Sequence, residues 1–309
     1  MTLIHLQLDP DARPFPYPVL GLGNFDGVHI GHQSILKRVV DRAGEKGGTS
    51  MALTFDPHPV KVLFPERSLQ LLCTTREKID LIGRCGIAHT YCLEFTREFS
   101  MLSPREFVQE FLVQRMKVRE VFVGQNYGFG RRREGNVALL ETFGKEFGFH
   151  VEIVPPVILK DHLVSSSLVR EALKVGEIER VALLLGRPYD IDGNVVEGEG
   201  RGKALGYPTA NLLPGEKLIP GNGVYAVRVE RSGETWPGIV YIGTQPTFQN
   251  AIRQIEIHLF DYQGNLYGEA LRVRFYGRVR GEMKFSDSAE LVTRIGKDIQ
   301  IAKKILEQT

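Results

Sequence analysis

Gly21-Leu22-Gly23-Asn24-Phe25-Asp26-Gly27-Val28-His29-Ile30-Gly31-His32 is the stretch on which the reading of the first half of the chain turns. It continues an apolar run, Pro18 to Leu22, that reads as a strand. It leads straight into a helical period with Ile35, Leu36, Val39, Val40 and Ala43 on one face. Strand, glycine-rich turn and helix in that order resemble a dinucleotide fingerprint, but aspartate stands at position 26, where the fingerprint needs its third glycine. A hydride-transfer reading fails at that residue. What remains is a glycine-permitted turn carrying His29 and His32 at i and i+3. At a helix start, this spacing sets both imidazoles beside backbone N–H groups that lack helical partners, near the positive end of the helix dipole. Such a corner suits a triphosphate, although an isolated His-x-x-His is more often incidental to a turn.

Outward from this corner, from Tyr17 to Gly186, short apolar runs alternate with helical periods. Further candidate strands are Met51 to Phe55, Thr90 to Leu93, Glu120 to Val123 and Val151 to Val154. That alternation predicts an α/β domain, a parallel sheet with crossover helices. Ser103, Pro104 and Glu106 together predict a helix start, since cap, first-turn proline and capping box agree. Beyond Gly186 the pattern becomes all-β. Tyr189 to Val196, Gly223 to Glu230, Pro237 to Tyr241, Gln254 to Phe260 and Leu271 to Arg278 read as short strands between turn clusters, which implies a barrel or a sandwich. From Ser286 to Glu307 a helical period returns, capped by Ser286 or Asp287, with Leu291, Ile295, Ile299, Ala302 and Ile305 on one face. The boundary falls between Gly186 and Pro188, giving domains 1–186 and 187–309.

The length of 309 residues accords with two such domains. A net charge of +2, from 39 basic and 37 acidic residues, creates no global field for a nucleic-acid backbone, so anionic partners must meet a local cluster. Small phosphorylated ligands fit that better than polymers. Cys73, Cys85 and Cys92 are odd in number and lack a Cys-x-x-Cys pair, which argues against a disulfide framework and a zinc ribbon. With no leader-like start and no long apolar run, the expected setting is cytoplasmic, without a membrane partner. No pattern sets an oligomeric state.

Four more segments carry chemistry. Thr54-Phe55-Asp56-Pro57-His58-Pro59 ends the second strand in a proline-stiffened turn that displays His58. Ser165, Ser166 and Ser167 open a helix with Arg170 one turn inside; this is ordinary capping taken alone, or a clamp for phosphates. Gly198-Glu199-Gly200-Arg201-Gly202-Lys203 lacks the Walker pattern, yet its alternating glycines let backbone N–H groups turn toward one anion while Arg201 and Lys203 add charge. Thr209 and Asn211, two apart on an extended segment, point to one side and can share a magnesium ion and a phosphate oxygen. On a strand, Glu256 and His258 face away from Ile255, Ile257 and Leu259, toward solvent or a ligand.

The Gly-Asn-Phe-Asp-Gly-Val-His-x-Gly-His run resembles the HxGH signature of nucleotidyltransferases in the form seen in bacterial riboflavin kinase/FAD synthetases. The segments at Thr54, Ser165 and Gly198 to Asn211 match that family, as do Pro220 to Tyr225, Gly243 to Phe248, Ile255 to Leu259, Tyr267-Gly268 and Arg280 to Phe285. The resemblance implies a Rossmann-like HxGH nucleotidyltransferase domain followed by a small riboflavin-kinase-type β-barrel with a C-terminal helix. It implies phosphorylation of riboflavin to FMN and adenylylation of FMN to FAD, with ATP as co-substrate at both sites and Mg²⁺ as cofactor. It assigns His29 and His32 to the ATP phosphates in the transition state. Ser166, Ser167 and Arg170 would hold pyrophosphate, and Gly23, Asn24, Phe25, Asp26, Gly27, His58 and Ser165 would bind nucleotide. In the barrel it makes Thr209 the Mg²⁺ ligand, Asn211 with Gly200, Arg201, Gly202 and Lys203 the phosphate grip, Glu256 the base, and Arg280 part of a flap over the flavin.

Some positions depart from the family pattern. Serine stands at 167 for the usual threonine, and Gly281 replaces an acidic residue. Asn126-Tyr127-Gly128-Phe129-Gly130 stands where Asp-Phe-Arg-Phe-Gly is common, so a carboxylate and an arginine are missing. Arg131, Arg132 and Arg133 offer a substitute phosphate grip, or are simply a solvated loop. The readings left beside the bifunctional one are a riboflavin kinase with weak or altered adenylyltransferase activity, an adenylyltransferase for another phosphorylated acceptor, and a single-strand nucleic-acid binder. Thr209, Asn211 and Glu256 argue against the second, and the near-neutral charge against the third.

Overall fold

The computed structural model describes residues 3–5, 15–198, 202, 205–246 and 251–309. The chain divides into two compact units, Met1–Ser166 and Ser167–Thr309.

The first unit is built on a six-stranded sheet in the order β1 (Leu3–His5), β4 (His89–Glu94), β3 (Thr49–Asp56), β2 (Pro18–Leu22), β5 (Glu120–Gly124), β6 (His150–Val154). All of its pairings are parallel. β1 is an edge strand that the sequence pattern did not announce, and β7 (Ile158–Leu159) pairs with β8 (His162–Leu163) as a separate antiparallel ribbon. Both faces of the sheet are covered, which is why its strands read as unbroken apolar runs. Leu20, Leu22, Met51, Leu53, Val121 and Val123 pack one way, against Phe107, Phe111 and Leu112. Val19, Ala52 and Phe122 pack the other way, against Ile35, Leu36 and Val39 of α1 (Ile30–Glu45). From β2 the chain moves through β3 to β4 on one side and then returns to the opposite side with β5. The strand order therefore reverses beside the C-terminal end of β2, the position where open parallel sheets bind ligands.

The helix start at Ser103 is as expected. Ser103 Oγ accepts from Glu106 N at 3.2 Å, and Glu106 Oε2 accepts from Ser103 N at 2.8 Å. From Val108 to Arg115 this helix widens to π-type spacing, which no local residue pattern indicated.

The second unit holds a closed antiparallel barrel, which decides between barrel and sandwich. Its order is β10 (Ala210–Pro214), β13 (Ala251–Leu259), β12 (Glu234–Pro246), β11 (Gly223–Arg231), β14 (Ala270–Arg280), β9 (Tyr189–Val196). β9 pairs back onto β10 to close the ring. The helix Ser288–Glu307 is capped by Asp287, whose Oδ1 accepts from Glu290 N at 2.8 Å. It lays Ala302 and Leu306 on Val224, Ala226, Ile239 and Phe260. The residues between 167 and 185 also pack with the barrel: Arg278 donates to the Val175 carbonyl at 2.9 Å, and Glu179 accepts from Arg278 N at 3.0 Å. All three cysteines are free. Among the described residues no helix is long and apolar enough to cross a membrane.

Candidate active sites

The turn after β2 is fastened on every side. Gly23 N donates to the Leu53 carbonyl at 3.2 Å, and Thr54 Oγ1 donates to the Asn24 carbonyl at 3.0 Å. Phe25 and Val28 are non-glycine residues held in the left-handed region, at φ 50° and 40°, with Gly27 at 80° between them. Strain of this kind persists only where packing over-determines it. Phe25 is fully buried, and a Cβ on Gly23 would stand 2.9 Å from its ring, so position 23 must be glycine. Asp26 turns its carboxylate inward, accepting from Leu72 N at 3.1 Å and from the Cys73 thiol at 3.8 Å. Burial, then the charge of Asp26, pushes that thiol up to about 12.

His29 is itself the N-cap of α1, its Nδ1 accepting from His32 N at 3.2 Å. With Nδ1 committed as acceptor, the proton of the neutral ring sits on Nε2. His32 stacks on His29 at 3.6 Å between centroids, and its Nδ1 is buried with no partner among the described residues. Phe25 meets His32 edge-on at 5.3 Å. Burial first, then the charges of His29 and Lys78, holds the His32 ring well below 6.5, so it is neutral at neutral pH. Ser166 Oγ donates to the Asp26 carbonyl at 3.0 Å, which brings the start of the helix Ser166–Val175 to this turn. Ser165 immediately precedes that helix, while Ser167 and Arg170 belong to its part in the second unit. His58 caps the short helix Pro59–Leu63, its Nδ1 accepting from Val60 N at 3.2 Å.

Two features of this unit escaped sequence reasoning. Lys78 is buried and donates to the Phe55 carbonyl at 2.6 Å; the available signal was a lysine on the same helix face as Ile82. The second is a 610 Å³ cavity walled by Phe55, Phe64, Phe95, Phe99, Phe107, Tyr127 and Phe129, with Asn24 and Arg131 to Arg133 on its border. Its aromatic residues are scattered over some seventy positions and share no motif.

In the second unit, Asn211 on β10 lies directly opposite Glu256 on β13. Partners opposite each other in an antiparallel pair have Cβ atoms about 4.5–5.5 Å apart and on one face. Thr209, two residues before Asn211, continues that side. Ile255 and Ile257 point into the barrel, each 1% exposed, and Glu256 and His258 are half-buried on the other face, where His258 Nδ1 lies 2.9 Å from the Pro208 carbonyl. The glycine segment comes against the same residues. A Cβ on Gly198 would collide with Asn211 Nδ2, and one on Gly202 would fall 2.8 Å from Thr209 Oγ1. Gly200, Arg201 and Lys203 lie outside the described residues, as do Thr247 and Phe248. Arg280 donates through Nε to Asp298 at 2.7 Å, and Asp298 also accepts from Arg294 at 2.9 Å. Tyr241, opposite Glu256 across β12, donates to Glu282 at 3.3 Å, and Asn222 donates to the same carboxylate at 3.1 Å.

Fold and sites together define a class: an α/β unit with a glycine-histidine corner at its switch point, followed by a barrel carrying a hydroxyl, an amide and a carboxylate side by side. The FAD synthetase profile matches residues 16–168, and the riboflavin kinase profile matches residues 185–306. The chain is 34% identical to the bifunctional riboflavin kinase/FMN adenylyltransferase of Escherichia coli strain K12, over 94% of its own length and 93% of that protein. It is 38% identical to the protein of the same name from Listeria monocytogenes, over 96% and 95%. The chain belongs to the bifunctional riboflavin kinase/FMN adenylyltransferase family. A crystal structure named as a macrolide-efflux protein from Streptococcus pneumoniae superimposes with a TM-score of 0.88 at 28% identity, covering 98% of each chain. That likeness is one of fold.

Proposed function

We propose that the chain makes FAD from riboflavin in two ATP-dependent steps: the barrel phosphorylates riboflavin to FMN, and the α/β unit adenylylates FMN with release of pyrophosphate. Both halves match their family profiles, and one chain holds both the His29–His32 stack at a helix start and the Asn211–Glu256 pair on a barrel face. That coexistence carries the reading. For the catalytic domains we retain the division 1–186 and 187–309, close to where the kinase profile begins at 185.

In the adenylylation step an oxygen of the FMN phosphate attacks the α phosphorus of ATP in line, and the bond to the β-phosphate oxygen breaks. Catalysis is then positioning plus neutralisation of charge on phosphate oxygens. His29 caps the helix through Nδ1 and carries its ring proton on Nε2, and neutral His32 adds a second ring donor without requiring a proton from solution. Ser165, Ser166, Ser167 and Arg170 receive the departing pyrophosphate, and the Gly23 to Gly27 turn with His58 borders the nucleotide. The aromatic cavity takes the isoalloxazine ring.

In the kinase step the ribityl 5′-hydroxyl attacks the γ phosphorus, the bond to the β-phosphate oxygen breaks, and Glu256 takes the hydroxyl proton. Thr209 and the neighbouring phosphate oxygens are hard oxygen donors of the type Mg²⁺ takes, and the Gly202 cradle against Thr209 Oγ1 leaves that position for a small ligand. Bound there, Mg²⁺ supplies positive charge to the triphosphate. Asn211 and the Gly200 to Lys203 loop hold the phosphates, and Arg280 contributes from the strand end that we assign to the flap. ATP as co-substrate and free thiols fit a cytoplasmic setting; neither nucleic acid nor membrane is a partner in this reading.

The test is a time course of purified chain with riboflavin, ATP and Mg²⁺, resolving the flavins by chromatography. His32→Ala should lower FAD formation from FMN by at least about 10²-fold while FMN formation continues. Glu256→Gln should lower FMN formation about 10²- to 10⁴-fold while supplied FMN is still converted to FAD. FAD synthesis retained in the first variant, or unchanged riboflavin phosphorylation in the second, refutes the respective assignment.

A further inference from the structure

The aromatic cavity of the first unit has one cationic border, and its three arginines are not equivalent. Arg131 is occupied: its backbone N–H donates to the Leu102 carbonyl at 2.7 Å, and its Nε lies 3.6 Å from Glu134. All three are exposed, and Arg132, held at φ 53°, makes no side-chain hydrogen bond or ion pair among the described residues. Arg133, at φ 59°, folds back over the loop so that its guanidinium lies across Gly128, where a Cβ would stand 2.9 Å from Nη2 and 3.0 Å from Nε. Glycine at 128 is thus what gives the Arg133 head group its seat. One donor is engaged, Nη2 with the Asn126 carbonyl at 3.3 Å. Among the described residues no carboxylate pairs with it, and a guanidinium carries five N–H donors in a planar fork. Burial raises the neighbouring Tyr127 phenol, and the Arg133 charge partly offsets that rise, which sets the cation beside the aromatic wall. A cavity of 610 Å³ accepts a fused-ring ligand, and a forked cation with unspent donors at its border accepts a dianion.

We propose that Arg133 reads the phosphate of the flavin in this cavity, and that the adenylylation step distinguishes FMN from riboflavin through it. The proposal rests on the reading above that the cavity takes the flavin ring. Riboflavin has the same ring but offers the fork no anion. Losing charge-assisted hydrogen bonds of this kind costs about 10- to 100-fold in affinity.

The experiment is FMN adenylylation by the full chain at saturating ATP, with riboflavin phosphorylation followed in the same preparations as a check that the chain is folded. Arg133→Gln should raise KM for FMN about 10- to 100-fold with kcat within about threefold. Arg133→Lys, which keeps the charge but not the fork, should fall between. Inhibition by lumiflavin, which carries the ring and no phosphate, should be unchanged in Arg133→Gln; a matching loss of lumiflavin inhibition would make Arg133 a shaper of the cavity and overturn the proposal. The double variant Leu63→Gln/Met101→Gln changes exposed apolar wall positions of the same cavity. An unchanged KM for FMN in that variant removes the flavin from the cavity and the proposal with it. A raised KM there, with Arg133→Gln unaffected, overturns the proposal alone.

Discussion

His32 is stacked on His29 with its Nδ1 buried, so a proton on that ring would have no acceptor at Nδ1 and no water shell. Its pKa is therefore depressed by burial first, then by His29 and Lys78. The unfolded chain, with an ordinary histidine near 6.5, takes up a proton as pH falls that the folded chain refuses. The stability at stake is fully present above 6.5 and is lost as pH falls from there toward the folded value. His32→Gln should accordingly show a flatter fall of stability between about pH 6.5 and 5 than the unmodified chain, measured as urea midpoints. Parallel curves would show that the ring is solvated. Asp26 shows how residue chemistry depends on setting: a carboxylate in a glycine-rich turn serves as an internal staple to Leu72 and Cys73.

Among the elements, those with local signals were legible. Ser103 and Glu106 close a reciprocal cap as read, and Ser103→Ala should destabilise the first unit by about 1 kcal/mol, seen as a lower thermal midpoint with kinase activity at 25 °C unchanged. No change in midpoint would mean that the cap is compensated by packing. The elements that were not legible form only through partners. β1 has three residues and exists because the edge of β4 offers a ladder. β10 carries Asn211 and ends in Pro214; the sequence marked the Thr209–Asn211 stretch as extended but not as a strand of the sheet, and it closes the barrel between β9 and β13. The π-type turns of Val108–Arg115 bury Phe111 and Leu112 in a layer supplied by distant strands.

For the whole molecule, the two units carry unlike sites, one on a parallel sheet and one on a barrel. On the proposed division into catalytic domains 1–186 and 187–309, each reaction is completed within one domain, so FMN released by one polypeptide can be used by another. An equimolar mixture of His32→Ala and Glu256→Gln should convert riboflavin to FAD although neither variant does so alone, with a lag that shortens as protein concentration rises. Absence of FAD from the mixture, with each variant retaining its single activity, would mean that FMN must stay on the chain that made it.

Periodicity, capping residues and the glycine-histidine run determined the class of each half, because those signals act over a few neighbouring residues and need no distant partner. The same run drew attention to His29 and His32, whereas the roles expected of Thr209, Asn211 and Glu256 came from the resemblance to the riboflavin kinase family. Tertiary structure alone decided that Asn211 faces Glu256, that Lys78 lies buried beside the histidine corner, and that seven aromatic residues spread over some seventy positions wall one cavity bordered by Arg133. Strand register and cavity walls are contacts between residues distant along the backbone, and only the closed fold sets those distances.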